Sequence, residues 1–192
     1  MMPPHIYLPL KRGEPMELKK ATDEELGFIK TLYFKAFPSQ ERKPFTLIRR
    51  QRAKGLLEVW TASDGGIPVG FAITAVSDSL VLLDYLAVSD AHRSKGLGSS
   101  ILRALAEIYG DTPIFLEIEK PDIHAKNQSE RLARKAFYLR NGYREAGINV
   151  LLWGVKMEIL TTADSLSFAE CDRIYDRIYG TRHSQIIREL HL

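Results

Sequence analysis

The stretch RSKGLG, residues 93–98, joins a predicted strand to a predicted helix. A helix begins with backbone N–H groups that lack partners, and the helix dipole adds partial positive charge at that end. Glycines let the backbone come close to a ligand, and the arginine and the lysine add positive charge beside it. The stretch therefore predicts a cradle for a pyrophosphate group.

Three known phosphate-binding patterns can be compared with this turn. A P-loop needs G-x-x-x-x-G-K-[ST], which the turn lacks, and a dinucleotide-binding G-x-G-x-x-G needs a glycine where Ile101 stands. The pattern that fits is Arg-x-x-Gly-x-Gly between a Leu-Ala-Val strand end and an amphipathic helix. This pattern resembles the acyl-CoA-binding motif of the GNAT N-acetyltransferase superfamily.

A second stretch, RKAFYLRNGYREAG, resembles a later motif of the same family. In that motif a helix ends in Phe-Tyr, here Phe137 and Tyr138, and glycine plus an aromatic residue follow, here Gly142 and Tyr143. The predicted order of elements also agrees: strand, two helices, three strands, the cradle helix, strand, helix and strand. The resemblance implies an α/β (α+β) fold, the GNAT acyl-CoA N-acyltransferase fold, with a mixed, mostly antiparallel twisted sheet flanked by helices.

The resemblance covers about residues 16–160 and divides the chain into three parts. Residues 1–15 are rich in proline and predict an irregular arm. Residues 161–192 predict a helical extension, because isoleucines and tyrosines recur at four-residue spacing. The apolar face of that helix either covers the protein's own sheet or forms a partner surface, so the chain is expected to be a monomer or a homodimer.

The resemblance implies acetyl-CoA as co-substrate. In the family the amides of the turn hold the pyrophosphate, while the strand end before it pairs with the pantetheine arm and faces the thioester carbonyl. The expected cofactor contacts in this sequence are Leu86, Ala87, Val88, Arg93, Ser94, Lys95, Gly96, Leu97, Gly98 and Ser99.

Two residues are the expected catalytic groups. In the family a tyrosine at the position of Tyr138 commonly donates a proton to the leaving thiolate, which a phenol can do because it stays protonated at neutral pH. Glu117 matches the place of a glutamate that deprotonates the amine in some members, often through water. Strand alternation puts Glu119 on the same face as Glu117. The alternatives for Glu117 are a solvated strand end or a charge that selects a cationic substrate.

Several other residues lie near the expected site, and their roles are less specific. Arg131 stands where many members of the family carry an asparagine. Asp84 and Tyr85 either line the substrate cleft or serve the fold. His124, in a loop, is expected to be solvated. Cys171 lies in a predicted packing helix without a nearby histidine, so we expect direct transfer in a ternary complex and no acyl-enzyme.

Composition excludes several classes of protein. The net charge of +3, without a dense Lys/Arg stripe, argues against nucleic-acid binding. No apolar run reaches the length of a membrane helix, and the single cysteine fits a reducing compartment, so a cytoplasmic protein is expected. No residue spacing indicates a metal site. The expected function is N-acetyl transfer to an amine of a small molecule or peptide, and the alternative is a non-catalytic acyl-CoA sensor of the same fold.

Overall fold

The computed structural model describes residues 6–8, 16–77, 79–180 and 183–191. The strands are β1 Ile6–Leu8, β2 Met16–Lys20, β3 Glu58–Asp64, β4 Ile67–Val76, β5 Val81–Val88, β6 Ile114–Glu119, β7 Arg144–Leu152, β8 Val155–Thr161 and β9 Ile187–Leu190. The α-helices are α1 Leu26–Ala36, α2 Phe45–Ala53, α3 Leu97–Tyr109, α4 Gln128–Arg140 and α5 Phe168–Tyr179. This mixed fold with a mostly antiparallel sheet confirms the expected fold class.

The chain divides into two compact units, and the first comprises Met1–Ala75 and Leu83–Asp111. Its strands follow the order β1-β2-β3-β4-β5, with antiparallel pairing from β1 to β4. Helix α1 buries Tyr33 fully, and the Tyr33 ring lies 4.8 Å from that of Tyr85, centroid to centroid. The turn before α1 is held by a capping box, since the Thr22 amide donates to Glu25 at 2.8 Å and the Glu25 amide donates to the Thr22 hydroxyl at 3.3 Å.

The second unit comprises Val76–Leu82 and Thr112–Leu192. Its strands follow the order β5-β6-β8-β7-β9. The first residues of β5 pair in parallel with β6, Val81 with Ile114 and Leu82 with Phe115, as a crossover through a helix requires. All other described pairings of this unit are antiparallel.

A close approach inside the first unit requires glycine at position 70. A Cβ atom placed on Gly70 would lie 2.8 Å from the backbone oxygen of Ala87 and 3.3 Å from the Ile101 side chain. Backbone cannot move aside as a flexible side chain can, so Gly70 lets β4 lie against the end of β5. The end of β5 is the segment expected to meet the pantetheine arm.

The two ends of the chain differ from the sequence-based expectation. Helix α5 ends at Tyr179, because Gly180 takes a left-handed φ of 78°, and β9 follows it. The prediction of a helical extension over residues 161–192 was therefore wrong beyond Tyr179: Ile187 is buried and pairs with Leu152 of β7. Within the predicted arm, Ile6–Leu8 forms a strand beside β2, and the rest of the arm lies outside the described residues.

The segment NVLLWGVKMEIL, which spans the end of β7 and most of β8, forms a pair of strands. Trp153 and Gly154 form its turn with φ values of 51° and 83°, which is the geometry that a tight hairpin prefers. The register between β7 and β8 shifts between Glu145 and Asn149. Among the described residues, no helix combines the length and the apolar character needed to cross a membrane.

Gly70→Ala is expected to lower the free energy of unfolding by about 1–3 kcal/mol, since the new methyl group meets backbone rather than a mobile side chain. Gly27→Ala is the matched control: its new Cβ meets no heavy atom within 4 Å, and its site lies in α1. The control should be neutral or stabilising by up to about 1 kcal/mol. Urea unfolding of both variants measures the difference, and equal stability would contradict the close approach.

Candidate active site

The turn between β5 and α3 has the backbone shape of an anion cradle. A 3-10 turn at Asp90–His92 leaves the strand, and Ser94 then takes a positive φ of 63°. Gly96 is the N-cap of α3 with a left-handed φ of 81°. A left-handed residue just before a helix turns successive amides toward one side, which is the shape of a backbone nest for an anion.

The amides at the start of α3 are not capped by a side chain of the described residues. The first helical bond runs from the Ser100 amide to the Gly96 oxygen at 3.0 Å, so the amides of Leu97, Gly98 and Ser99 precede it. The Leu97 side chain is 1% exposed and anchors the turn to the core, while Gly96 is exposed. These uncapped amides fit a pyrophosphate. In an ordinary capped helix a side chain would occupy the same place.

The charges around the cradle are mixed. The Arg93 guanidinium lies 3.0 Å from Asp90, whose other oxygen lies 2.6 Å from the Lys35 ammonium. The hydrogen bond from Lys35, with Arg93 nearby, lowers the pKa of Asp90 below its usual range, so Asp90 is ionised at neutral pH. Arg93 and Lys95 are both exposed, and a bound phosphate would compete with Asp90 for Arg93.

Asp84 and Tyr85 hold the loop between α1 and α2 within the first unit. The Lys43 ammonium lies 2.5 Å from the Asp84 carboxylate, and their side chains are 1% and 9% exposed. The Tyr85 hydroxyl donates to the Glu41 carbonyl at 2.9 Å and accepts from the Lys43 amide at 3.3 Å. A buried charge pair is costly to break, so these contacts fix the loop. That Asp84 and Tyr85 line a substrate cleft stays a prediction.

Tyr138, in the second unit, is held near the end of α4. Its ring lies 5.1 Å from that of Phe137 and 5.5 Å from that of Tyr143, centroid to centroid. Burial raises the pKa of Tyr138 to about 12, and the nearby Arg134 lowers it in part. No hydrogen-bond partner of its hydroxyl is found among the described residues. The phenol therefore keeps its proton at neutral pH, as a proton donor must.

Tyr143 is the neighbour that packs against Tyr138. Its side chain is buried, and its hydroxyl has no hydrogen-bond partner among the described residues. Burial raises the pKa of Tyr143 above its ordinary value. A buried hydroxyl without a partner contributes nothing that a phenylalanine would not, so Tyr143 supports Tyr138 by its ring alone.

Glu117 is half-buried on β6 and accepts a hydrogen bond from the hydroxyl of Tyr175 on α5. Glu117 is thus not a solvated strand end, which was one of the alternatives. Its role as the base stays a prediction.

Glu119, two residues further along β6, is bound into a charge cluster. Arg131 lies 2.7 Å from one Glu119 oxygen, and Arg134 lies 3.6 Å from the other. Arg131 also donates to the Lys120 carbonyl at 2.9 Å and to Asn127 at 2.8 Å. The arginine that departs from the family pattern therefore neutralises Glu119, which leaves Glu117 as the better candidate for proton transfer.

The remaining candidate residues from the sequence are Cys171 and His124. The Cys171 thiol is fully buried, and burial followed by the charge of Glu117 raises its pKa, so it is not a nucleophile at neutral pH. His124 is exposed, as expected. In the described part of the chain there is no group of three or more His, Cys, Asp or Glu side chains suited to a metal ion.

Sequence reasoning missed three residues around these sites: Gly70, Lys43 and Tyr175. Gly70 carried a usable signal, because a glycine inside a strand marks a close backbone approach. Lys43 and Tyr175 carried none, because a lysine in a polar loop and a tyrosine on a helix face are ordinary. The cofactor contacts lie in the first unit, and Glu117 and Tyr138 lie in the second.

Residues 56–145 match the family model of the acetyltransferase (GNAT) domain. Among curated protein sequences, none matches this chain. Among solved structures, a protein assigned to the GNAT family from Bacteroides thetaiotaomicron is similar, with TM-score 0.69 and 19% identity over 86% of this chain and 99% of that one.

Two further structures share the fold. Arabidopsis thaliana Naa50, in complex with the bisubstrate analogue CoA-Ac-MVNAL, gives TM-score 0.59 and 16% identity over 77% of this chain and 98% of that one. The ribosomal-protein-S18-alanine N-acetyltransferase from Escherichia coli gives TM-score 0.57 and 18% identity over 79% and 96%. Residues 56–145 are thus similar to the acetyltransferase (GNAT) domain, and the chain shares its fold with these solved structures.

Proposed function

We propose that this protein transfers an acetyl group from acetyl-CoA to a primary amine of a small molecule or peptide, by direct attack in a ternary complex. The observation that carries the proposal is the cradle at the start of α3. There Gly96 is left-handed, no described side chain caps the helix, and Arg93 and Lys95 flank the turn. The cradle lies within the stretch that matches the GNAT domain model.

The proposed cofactor contacts are those expected from the sequence. The amides at the start of α3 would bind the pyrophosphate, assisted by the charges of Arg93 and Lys95. The backbone of Leu86–Val88 would bind the pantetheine arm and the thioester oxygen. Naa50, which shares the fold, is seen with an analogue that contains CoA.

Two side chains would move protons in the proposed reaction. The acceptor amine must lose a proton to attack the thioester carbon, and Glu117 would take that proton directly or through water. The nitrogen–carbon bond would form as the carbon–sulfur bond breaks, and the Tyr138 hydroxyl would give its proton to the leaving thiolate. The attacking nitrogen would lose its second proton to the Tyr138 phenolate, and Glu117 would release the first proton to solvent, so the products are an amide and CoA.

Gly98→Asp is expected to weaken acetyl-CoA binding about tenfold or more, because a carboxylate at the first turn of α3 repels the pyrophosphate. Gly66→Asp is the matched control: it adds the same charge in the β3–β4 turn, where φ is 79° and a Cβ meets nothing within 4 Å. Calorimetric titration with acetyl-CoA measures both. Equal affinity of the two variants for acetyl-CoA would show that the pyrophosphate does not bind at this cradle.

Tyr138→Phe is expected to lower kcat about 100-fold or more with little change in the KM for acetyl-CoA, since it removes the proton for the leaving thiolate. The pKa of Tyr138 is about 12, so its proton is retained up to about pH 10, and no alkaline loss of activity should stem from it there. CoA release across a panel of amines measures the rate. Tyr143→Phe makes the same chemical change at the adjacent ring and should leave the rate unchanged.

The same two assays separate an enzyme from a sensor. A protein that binds acetyl-CoA but releases no CoA with any amine in the panel would be the non-catalytic alternative. A wild-type rate that Tyr138→Phe leaves intact would instead keep the activity and remove Tyr138 from the mechanism.

A further inference from the structure

Helix α5 lies outside the residues that match the GNAT domain model, which end at residue 145. It begins at a complete capping box between Ser167 and Glu170. Its buried residues are Cys171, Ile174, Tyr175 and Ile178. The apolar face thus packs inside its own unit, and the helix is well formed at its start.

Tyr175 is the residue of α5 that contacts β6 at two points. Its ring lies 5.9 Å from that of Phe115 and 6.4 Å from that of Phe168, centroid to centroid. Its hydroxyl donates to Oε1 of Glu117. Phe115 and Glu117 are two residues apart on one strand and therefore share a face. Packing of the ring between two aromatic residues fixes where the hydroxyl meets the carboxylate.

The direction of this hydrogen bond is set by the surroundings. Burial, followed by the charge of Glu117, raises the pKa of Tyr175 well above its ordinary value, so the phenol keeps its proton and donates. The Tyr175 side chain is 1% exposed, so its hydroxyl is shielded from bulk water. A donor that is neutral and buried stabilises a carboxylate in its ionised form.

The residues next to Glu117 on α5, β8 and β6 are of different kinds. On α5, the Cys171 thiol interacts with Glu117 and stays protonated. On β8, the residue paired with Glu117 is Ile159, which is apolar. On β6 itself, Glu119 is bound by Arg131 and Arg134.

We propose that Tyr175 is a positioning residue for Glu117, so that α5 supplies part of the catalytic apparatus from outside the matched domain. Tyr175 holds the carboxylate in one rotamer and in its ionised form, ready to take the proton of the acceptor amine. This inference rests on the proposed function, in which Glu117 is the base. It assigns to the C-terminal extension a role beyond covering the sheet.

Tyr175→Phe removes the hydroxyl and keeps the ring between Phe115 and Phe168. Carbon-13 NMR of glutamate side chains follows the titration of Glu117, whose signal is identified by its loss in Glu117→Gln. We expect the Glu117 midpoint to move to higher pH in Tyr175→Phe, because the donor that favours the ionised form is gone. Tyr143→Phe also removes a phenol hydroxyl, one that has no hydrogen-bond partner among the described residues, and should leave the midpoint in place.

Activity gives the second readout. Tyr175→Phe is expected to lower kcat about 10-fold to 100-fold, because the base is less well placed, and to leave the KM for acetyl-CoA unchanged. The acid limb of the kcat/KM profile should move to higher pH together with the NMR midpoint, since the base must be ionised. In a Glu117→Gln background, Tyr175→Phe should cause no further loss.

An unmoved midpoint and an unmoved acid limb in an active enzyme would overturn this inference and leave the proposed function standing. A wild-type protein that acetylates no amine would overturn the proposed function and the catalytic part of the inference together. A midpoint shift with an unchanged rate would also overturn the inference, since Tyr175 would then contact Glu117 without serving the reaction. Thermal unfolding of each variant verifies that the fold is retained.

Discussion

The start of α3 carries the constraint on which the candidate cofactor site depends: a helix cannot satisfy its own first amides. In most helices the side chain of a serine, threonine, asparagine or aspartate at the N-cap accepts a hydrogen bond from one of these amides. Here Gly96 stands at that position, and the described residues supply no side-chain cap. The uncapped amides cost stability unless water or an anion meets them, and Leu97, buried in the core, holds the turn in place.

The second unit places a donor beside each glutamate of β6 and β8. The neutral phenol of Tyr175 donates a hydrogen bond to Glu117, Arg131 forms an ion pair with Glu119, and Lys135 forms one with Glu158 at 2.8 Å. A cationic partner neutralises the charge of a carboxylate, whereas a neutral phenol stabilises that charge without cancelling it. Under the proposed function, this difference in donor distinguishes Glu117, the proposed base, from Glu119 and Glu158.

Local sequence signals predicted most of the elements and the strand-to-helix turn of the candidate site. The cradle turn and the Phe-Tyr helix end each depend on residues a few positions apart, and local rules apply at that range. The prediction of a helical extension over residues 161–192 failed beyond Tyr179, because Gly180 was not taken as a stop and the pairing of β9 with β7 lies beyond local rules.

The contacts that define the surroundings of the site were not predictable for the same reason. Tyr175 and Glu117 are 58 residues apart, and Lys43 and Asp84 are 41 apart. No periodicity links such pairs, because they are brought together by packing of the whole unit. Gly70 differs from them. A glycine within a strand is a signal visible in the sequence, but the atom it approaches, the Ala87 carbonyl oxygen, is known only from the fold.

The place of Tyr175 in the chain also has a consequence for biosynthesis. A ribosome adds about 5–20 residues each second, so Tyr175 is made about 3–12 seconds after Glu117, from which 58 residues separate it. During that interval β6 has neither the phenol for its carboxylate nor the ring that packs on Phe115. The residues of the proposed cradle and of α3 are made earlier than both. The nascent chain thus contains the proposed cradle residues before the residues that surround its proposed base.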